Sequence, residues 1–156
     1  MIILGIDPGI TGGAAIISTD TERGPTVDKA YRMPTFKHGK KNLIDANRLF
    51  NWWVGLPIDV AVIEDVHAMP KQGTVSTFSF GRSTGAVEAV AHLTAQRVVW
   101  VSPQRWKNFF GLSRDKIASI NLAEDKFGSA WKWDKRVEDG IAEAALIALW
   151  YVDNFE

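Results

Sequence analysis

The chain has no cysteine, which excludes disulfides and thiolate metal sites and makes a reducing compartment the default expectation. No apolar run approaches the roughly 20 residues that span a bilayer. Met1-Ile2-Ile3-Leu4 carries no basic region and runs into turn residues, so it reads as a core strand and not a signal peptide. Repeats, low-complexity tracts and linker-like stretches are also missing, so residues 1–156 are expected to form one domain. Net charge is missing too: 18 basic residues balance 18 acidic ones. Neutrality removes the simplest sign of a polyanionic partner, but the charge is unevenly placed. Lys29, Arg32, Lys37, Lys40 and Lys41 lie in a stretch with no acid. Arg97, Arg105, Lys107, Arg114 and Lys116 face one acid, Asp115, and the segment from Pro70 to Gly85 has Lys71 and Arg82 with none. Such runs are either solvated faces or basic rims around an acidic pit.

What is present begins with Asp7. It ends the apolar run Ile2 to Ile6 and is followed by Pro8-Gly9-Ile10-Thr11-Gly12-Gly13 and a second apolar run, Ala14 to Ile17. A charge at the end of a buried strand is costly unless something pairs with it, and a metal ion is one such partner. A plain turn residue is the other reading.

Met1–Asp7 and Gly13–Thr19 are expected to form an antiparallel hairpin, with Val27–Met33 as a third strand. The spacing of Leu43, Ala46, Leu49, Phe50 and Trp53 predicts a helix over Lys41–Val54, stopped by Gly55-Leu56-Pro57. Ile58–Glu64 reads as a strand, Val75–Thr94 as a helix, Arg97–Val101 as a strand and Ser113–Phe127 as a helix capped by Ser113. A last helix from about Val137 to Val152 carries the stripe Ile141, Ala145, Ala148, Leu149 and Val152 and should be buried on more than one side. Trp53, Trp100 and Trp150 sit on apolar faces and read as core, while Trp131 and Trp133 have no assignment beyond packing. The order β-β-β-α-β-α-β-α-α implies an α/β fold, a mixed sheet covered by helices.

A helix lies between the hairpin and Ile58–Glu64, so that strand can run parallel to the first. Asp7 and Glu64, each the last residue of its strand, would then stand side by side. Asp139 and Glu143, four apart, share one face of the last helix near its start. Four hard oxygen ligands suit magnesium or manganese. A pair of such ions about 4 Å apart is the usual machinery for attack of water on a phosphodiester. Taken singly, Glu64 could instead be an edge ion pair, and the helix acids could complement its N-terminus.

These features together resemble the RuvC-type Holliday junction resolvases of the RNase H-like superfamily. The resemblance rests on Ile6-Asp7-Pro8-Gly9-Ile10-Thr11-Gly12, on Ile63-Glu64-Asp65-Val66-His67, on Trp106-Lys107-Asn108 with Lys116 beyond a glycine-bearing turn, and on the run from Asp139 to Ala148. The closing Asp-Gly-x-Ala-Glu-Ala form and the compact chain are similar to phage-encoded members.

The resemblance implies a five-stranded RNase H-like sheet and a homodimeric endonuclease that cuts four-way DNA junctions by paired nicks. It implies two magnesium ions per subunit, replaceable by manganese, held by Asp7, Glu64, Asp139 and Glu143. Many relatives space the last two acids by three residues; here the spacing is four, and Glu138 is the alternative to Asp139. Lys107 and Lys116 match basic residues near the site, with a catalytic or a phosphate-positioning role. His67 stands where relatives place a base-stacking aromatic, and the metal shell or plain surface are its other readings. DNA contacts are expected from His67, Lys71, Arg82, Arg105, Lys107, Arg114 and Lys116. The helix beginning near Val75 is expected to carry a dimer contact, with Phe78 and Phe80 in core or interface. Other branched DNA is a further expected substrate, no membrane association is implied, and the setting would be the cytoplasm of a bacterial or phage-infected cell. The rival readings are a junction-binding module that does not cut and an actin-like ATPase half-domain built on the Asp7–Gly13 turn.

Overall fold

The computed structural model describes residues 1–20, 22, 24–68, 71, 73–113, 116–128 and 139–155. Among them, five strands form one mixed sheet in the order β3-β2-β1-β6-β7. β1 (Ile2–Asp7) and β2 (Gly13–Ser18) are the expected antiparallel hairpin, and β3 (Thr26–Arg32) extends it. β4 (Thr35–His38) and β5 (Lys41–Ile44) form a separate two-stranded hairpin. α1 (Ala46–Trp53) then leads to β6 (Ile58–Glu64), which runs parallel to β1, and α2 (Thr74–Thr94) leads to β7 (Ala95–Val101), parallel to β6. α3 (Pro103–Phe109), α4 (Lys116–Phe127) and α5 (Asp139–Phe155) complete the described chain. No helix among the described residues is long and apolar enough to cross a membrane.

The sheet separates two apolar layers. Ile3, Val60 and Val62 face α3, α4 and α5, packing with Trp106, Ile120, Leu146 and Trp150. Leu4, Ile6, Ala61 and Ile63 face the other way, toward Leu49 and Trp53 of α1 and Val87 and Ala91 of α2. The alternation is the two-residue period of a strand. Because Ile3 and Gly5 precede it on one face, Asp7 belongs to the α5 side; Val60 and Val62 place Glu64 on the same side.

Four expectations change. Lys41–Ile44 is a strand, because Gly39 at φ 62° turns the chain back onto Thr35–His38. The helix starts only after Asp45, whose carboxylate accepts from the Arg48 amide at 3.0 Å. α3 was not expected at all; at seven residues it is too short for periodicity to reveal. Its signal is Ser102-Pro103, a capping hydroxyl that accepts from the Arg105 amide at 3.3 Å followed by a proline at the first helical position. β7 begins two residues earlier than expected. Trp100 is not core: it is 43% exposed on an edge strand, and its indole donates to Glu88 at 3.3 Å. The described part of the helix expected from Ser113 starts at Lys116, and that of the helix expected from Val137 starts at Asp139. Trp131, Trp133 and Glu138 lie outside the described residues.

Candidate metal centre and nucleic-acid interface

The parallel register pairs Ile6 with Ile63, so Asp7 and Glu64 leave the sheet at the same edge on neighbouring strands. The Pro-Gly turn folds back over Asp7, with the Gly12 amide donating to the Gly9 carbonyl at 2.9 Å and the Gly9 amide reaching the Asp7 carboxylate at 3.4 Å. α5 crosses β1 and β2 at van der Waals distance. A Cβ on Gly140 would lie 2.7 Å from the Gly12 Cα, and one on Gly13 would lie 2.8 Å from the Ile141 amide. A Cβ on Gly5 would collide with the Ala144 carbonyl and come within 2.9 Å of the Ala148 Cβ. Glycine at these positions is what lets the start of α5, with Asp139 and Glu143, reach the ends of the two strands.

Burial and mutual repulsion show how near the acids are. Asp7 is pushed up from 3.8 to about 7, first by burial, then by the charges of Glu64 and Glu143, with Asp139 adding to the rise and the Gly9 amide opposing it. Glu64, 7% exposed, is raised chiefly by burial and also by Glu143, while the Trp106 indole and the Lys107 ammonium oppose the shift. The indole donates to Glu64 Oε1 at 2.9 Å. Glu143 Oε1 accepts from Lys107 Nζ at 2.8 Å and from Ser119 Oγ at 3.1 Å. Consecutive residues of α3 thus each hold one acid. Trp106 and Ser119 are both buried, at 0% and 1% exposure. Sequence reading noted Trp106 only as a neighbour of Lys107, and nothing in the order of residues marks Ser119.

No three His, Asp or Glu side chains among the described residues already stand as a ready ion cage. Glu143 is turned onto Lys107 and Ser119, and Glu64 onto Trp106. The donor set nevertheless fits a hard divalent cation. It is all oxygen, partly buried and mutually repulsive, so a cation would relieve the repulsion that raises Asp7 and Glu64.

The other predicted residues that the structure describes lie after β6, before and on α2, on α3 and at the start of α4. His67 is exposed three residues past β6, its Nε2 3.7 Å from an Asp65 oxygen. Lys71 is exposed, at φ 69° just before α2. Arg82 is exposed on α2 and stands 5.9 Å from the Phe78 ring centroid. Arg105 is exposed on α3, with its guanidinium 5.2 Å from the Trp150 ring centroid. Lys116 opens α4, and Arg114 lies outside the described residues. A cavity of about 570 Å³ opens beside α3 between Gln104, Lys107, Asn108 and Leu112; Lys107 joins it to the acids.

No protein-family model and no curated protein matches the chain. Solved structures do. The RuvC structure from Thermus thermophilus superposes with a TM-score of 0.67 at 16% identity, covering 98% of this chain and 96% of that one. T. thermophilus RuvC in complex with a Holliday junction substrate gives 0.68 at 16% identity and the same coverage. The yeast mitochondrial Holliday junction resolvase Ydc2 gives 0.51 at 16% identity, covering 96% of this chain and 76% of that one. The chain therefore has the RuvC-type, RNase H-like fold, as its motifs led one to expect.

Proposed function

We propose that this chain is a metal-dependent, structure-selective endonuclease that resolves four-way DNA junctions by paired nicks as a homodimer. The observation that carries the reading is the gathering of acids at one sheet edge: Asp7 and Glu64 end neighbouring parallel strands, and burial first, then the charges of Glu64, Glu143 and Asp139, hold the Asp7 carboxyl well above its ordinary range. A fold has little reason to gather like charges at a half-buried edge unless a cation is meant to share them. The common fold with two junction-resolving proteins supports the choice of DNA as the polyanion acted on.

In this reading Asp7, Glu64, Asp139 and Glu143 hold two magnesium ions, with manganese as a substitute. When bound, such ions supply an activated water and neutralise charge developing on the phosphate. The chain's own part is positioning. Trp106 holds one oxygen of Glu64 and Ser119 one oxygen of Glu143, which fixes where the two carboxylates rest before a cation arrives. Lys107, only 26% exposed, balances Glu143 and has its ammonium ready for a phosphate oxygen; Lys116 is assigned the same role from sequence alone. His67, Lys71, Arg82 and Arg105 position the DNA backbone or stack on an unpaired base, Arg114 is assigned the same role from sequence alone, and a cut in other branched DNA follows the same chemistry. The dimer reading is supported by α2, where Val75, Phe78 and Leu93 are 65%, 67% and 73% exposed.

A labelled four-way junction incubated with the protein and magnesium tests this. Paired nicks are expected, abolished by chelation. Asp7→Asn should keep junction binding and lose cutting by on the order of 1,000-fold. Binding without cutting by the unaltered protein would leave a junction-binding module. Undiminished cutting by Asp7→Asn would remove Asp7 from the chemistry.

A further inference from the structure

The β4–β5 hairpin has no part in the site described above, yet it carries three lysines and a histidine and no acid. No acid occurs between Lys29 and Ile44. Every residue from Thr35 to Asn42 is exposed, including Lys37, His38, Lys40 and Lys41. No carboxylate among the described residues pairs with Lys37, Lys40 or Lys41; the contact of Lys41 is a hydrogen bond from Nζ to Ser79 Oγ at 3.1 Å. Three lysines and a histidine within five residues, with no acid among them, give the hairpin a dense positive charge. Gly39 at φ 62°, followed by a lysine outside the left-handed region, is the pattern of a tight two-residue turn that sets Lys40 at the tip. Leu43 and Ile44 are buried at the base and anchor the finger to the body.

Its place matters as much as its charge. Ile10, in the turn that folds over Asp7, lines a cavity of about 280 Å³ together with Asn42 of β5 and Ser76, Ser79 and Phe80 of α2. The hairpin therefore meets, through Asn42, the turn that follows Asp7. A strand of DNA phosphates brought to the acids could reach a positively charged finger whose lysines have no carboxylate partner among the described residues.

We propose that the β4–β5 hairpin is a DNA-backbone clamp, with Lys37, Lys40 and Lys41 each contacting a phosphate of the arm entering the site. This rests on the DNA-processing reading above but adds a contact element apart from the metal-holding and catalytic residues. Charge complementarity selects the occupant. A polyanion with regularly spaced phosphates satisfies several lysines at once, and each contact steepens the dependence of binding on salt.

The test is junction affinity by fluorescence anisotropy in chelator, from 50 to 200 mM salt. The proteins compared are the unaltered chain, a triple variant (Lys37→Gln, Lys40→Gln, Lys41→Gln) and its charge-keeping counterpart (Lys37→Arg, Lys40→Arg, Lys41→Arg). Three lost phosphate contacts lower the slope of log affinity against log salt by about 2.7. Over that fourfold range the unaltered chain should therefore lose roughly 40-fold more affinity than the Gln variant. The Arg variant should keep the original slope. Circular dichroism and thermal melting identify any variant that misfolds, and the Arg variant provides the comparison in that case. Coincident slopes for the unaltered chain and the folded Gln variant would overturn the clamp, as would an Arg variant that behaves like the Gln one. A hairpin-dependent slope in a protein that never cuts with magnesium would uphold the clamp and sink the nuclease reading. Cutting with coincident slopes would do the reverse.

Discussion

α5 and α2 are the two long helices, on opposite faces of one sheet, and they are buried to very different degrees. α5 has 17 residues and hides eleven of them; α2 has 21 and hides four. α5 meets the sheet where Gly140 and, across from it, Gly5 and Gly13 admit no added carbon, whereas Gly81 and Gly85 of α2 have nothing within 4 Å of where a Cβ would stand. The difference teaches that one helix is spent inside its own chain, holding Asp139 and Glu143 against Asp7. The other keeps apolar and basic side chains outward, where another molecule can meet them. Tight packing is what a site made of mutually repelling acids requires, since a loose helix would let the charges relax apart.

The sharpest way to probe the α5 side is pH. Asp7 holds its proton about three units more firmly in the folded chain, so between pH 3.8 and about 7 the folded state carries more protons than the unfolded one. Stability of the metal-free protein should fall as pH rises through that window and level off above it, by up to about 4 kcal/mol from this residue. Glu64 acts in the same direction. Urea melts in chelator should therefore show Asp7→Asn gaining on the unaltered chain as pH rises from 4 to 8, and magnesium should restore stability at pH 8 far more than at pH 4. Parallel curves for the two proteins would break the picture of a strained acid cluster.

Next in size is a pair of glycine substitutions. Gly140→Ala would set a carbon 2.7 Å from the Gly12 Cα, and about 3 kcal/mol of destabilisation is expected, with cutting impaired as the acids separate. Gly85→Ala on α2 meets nothing, and a gain of about 0.5–1 kcal/mol is expected from its better helix propensity. Equal responses in thermal melts would erase the contrast between the helices.

Trp106→Phe keeps the buried ring but removes the donor to Glu64. A charge-assisted hydrogen bond of this kind contributes about 2 kcal/mol, and the variant should bind magnesium roughly 10- to 100-fold more weakly. Calorimetric titration of magnesium checks this, and unaltered affinity would make Trp106 a packing residue. The smallest stability effect is expected on α2: Phe78→Ser and Leu93→Ser, at exposed positions, should change monomer stability by less than about 0.5 kcal/mol. Sedimentation should nevertheless shift toward monomer. A large loss of stability without that shift would return these side chains to the core of a single chain.

The strands were legible where short apolar runs end in turn residues, and the parallel placement of β6 beside β1 followed from the helix between them. That order alone sets Asp7 and Glu64 at one edge of the sheet. Lys41–Ile44 was misread because Leu43 fits a helical stripe as well as a strand, and only the pairing with Thr35–His38 separates the two. α3 was hidden by its brevity. Trp100 misled because an apolar residue in a strand says nothing about whether a neighbour covers it.

By itself, then, the order of residues determined which acids end strands, which share a helix face, and that no sulfur ligand competes with them. Those are local matters of period and chemical type, fixed by neighbours in the chain. Only the tertiary structure decided that Trp106, Lys107 and Ser119 hold the acids, and that Gly140 rests on Gly12. It also decided that Asn42, at the foot of a small basic hairpin, shares a cavity with Ile10 of the turn after Asp7. Such contacts join residues far apart in the chain, and their physical cause is the docking of one layer on another, which no local pattern encodes.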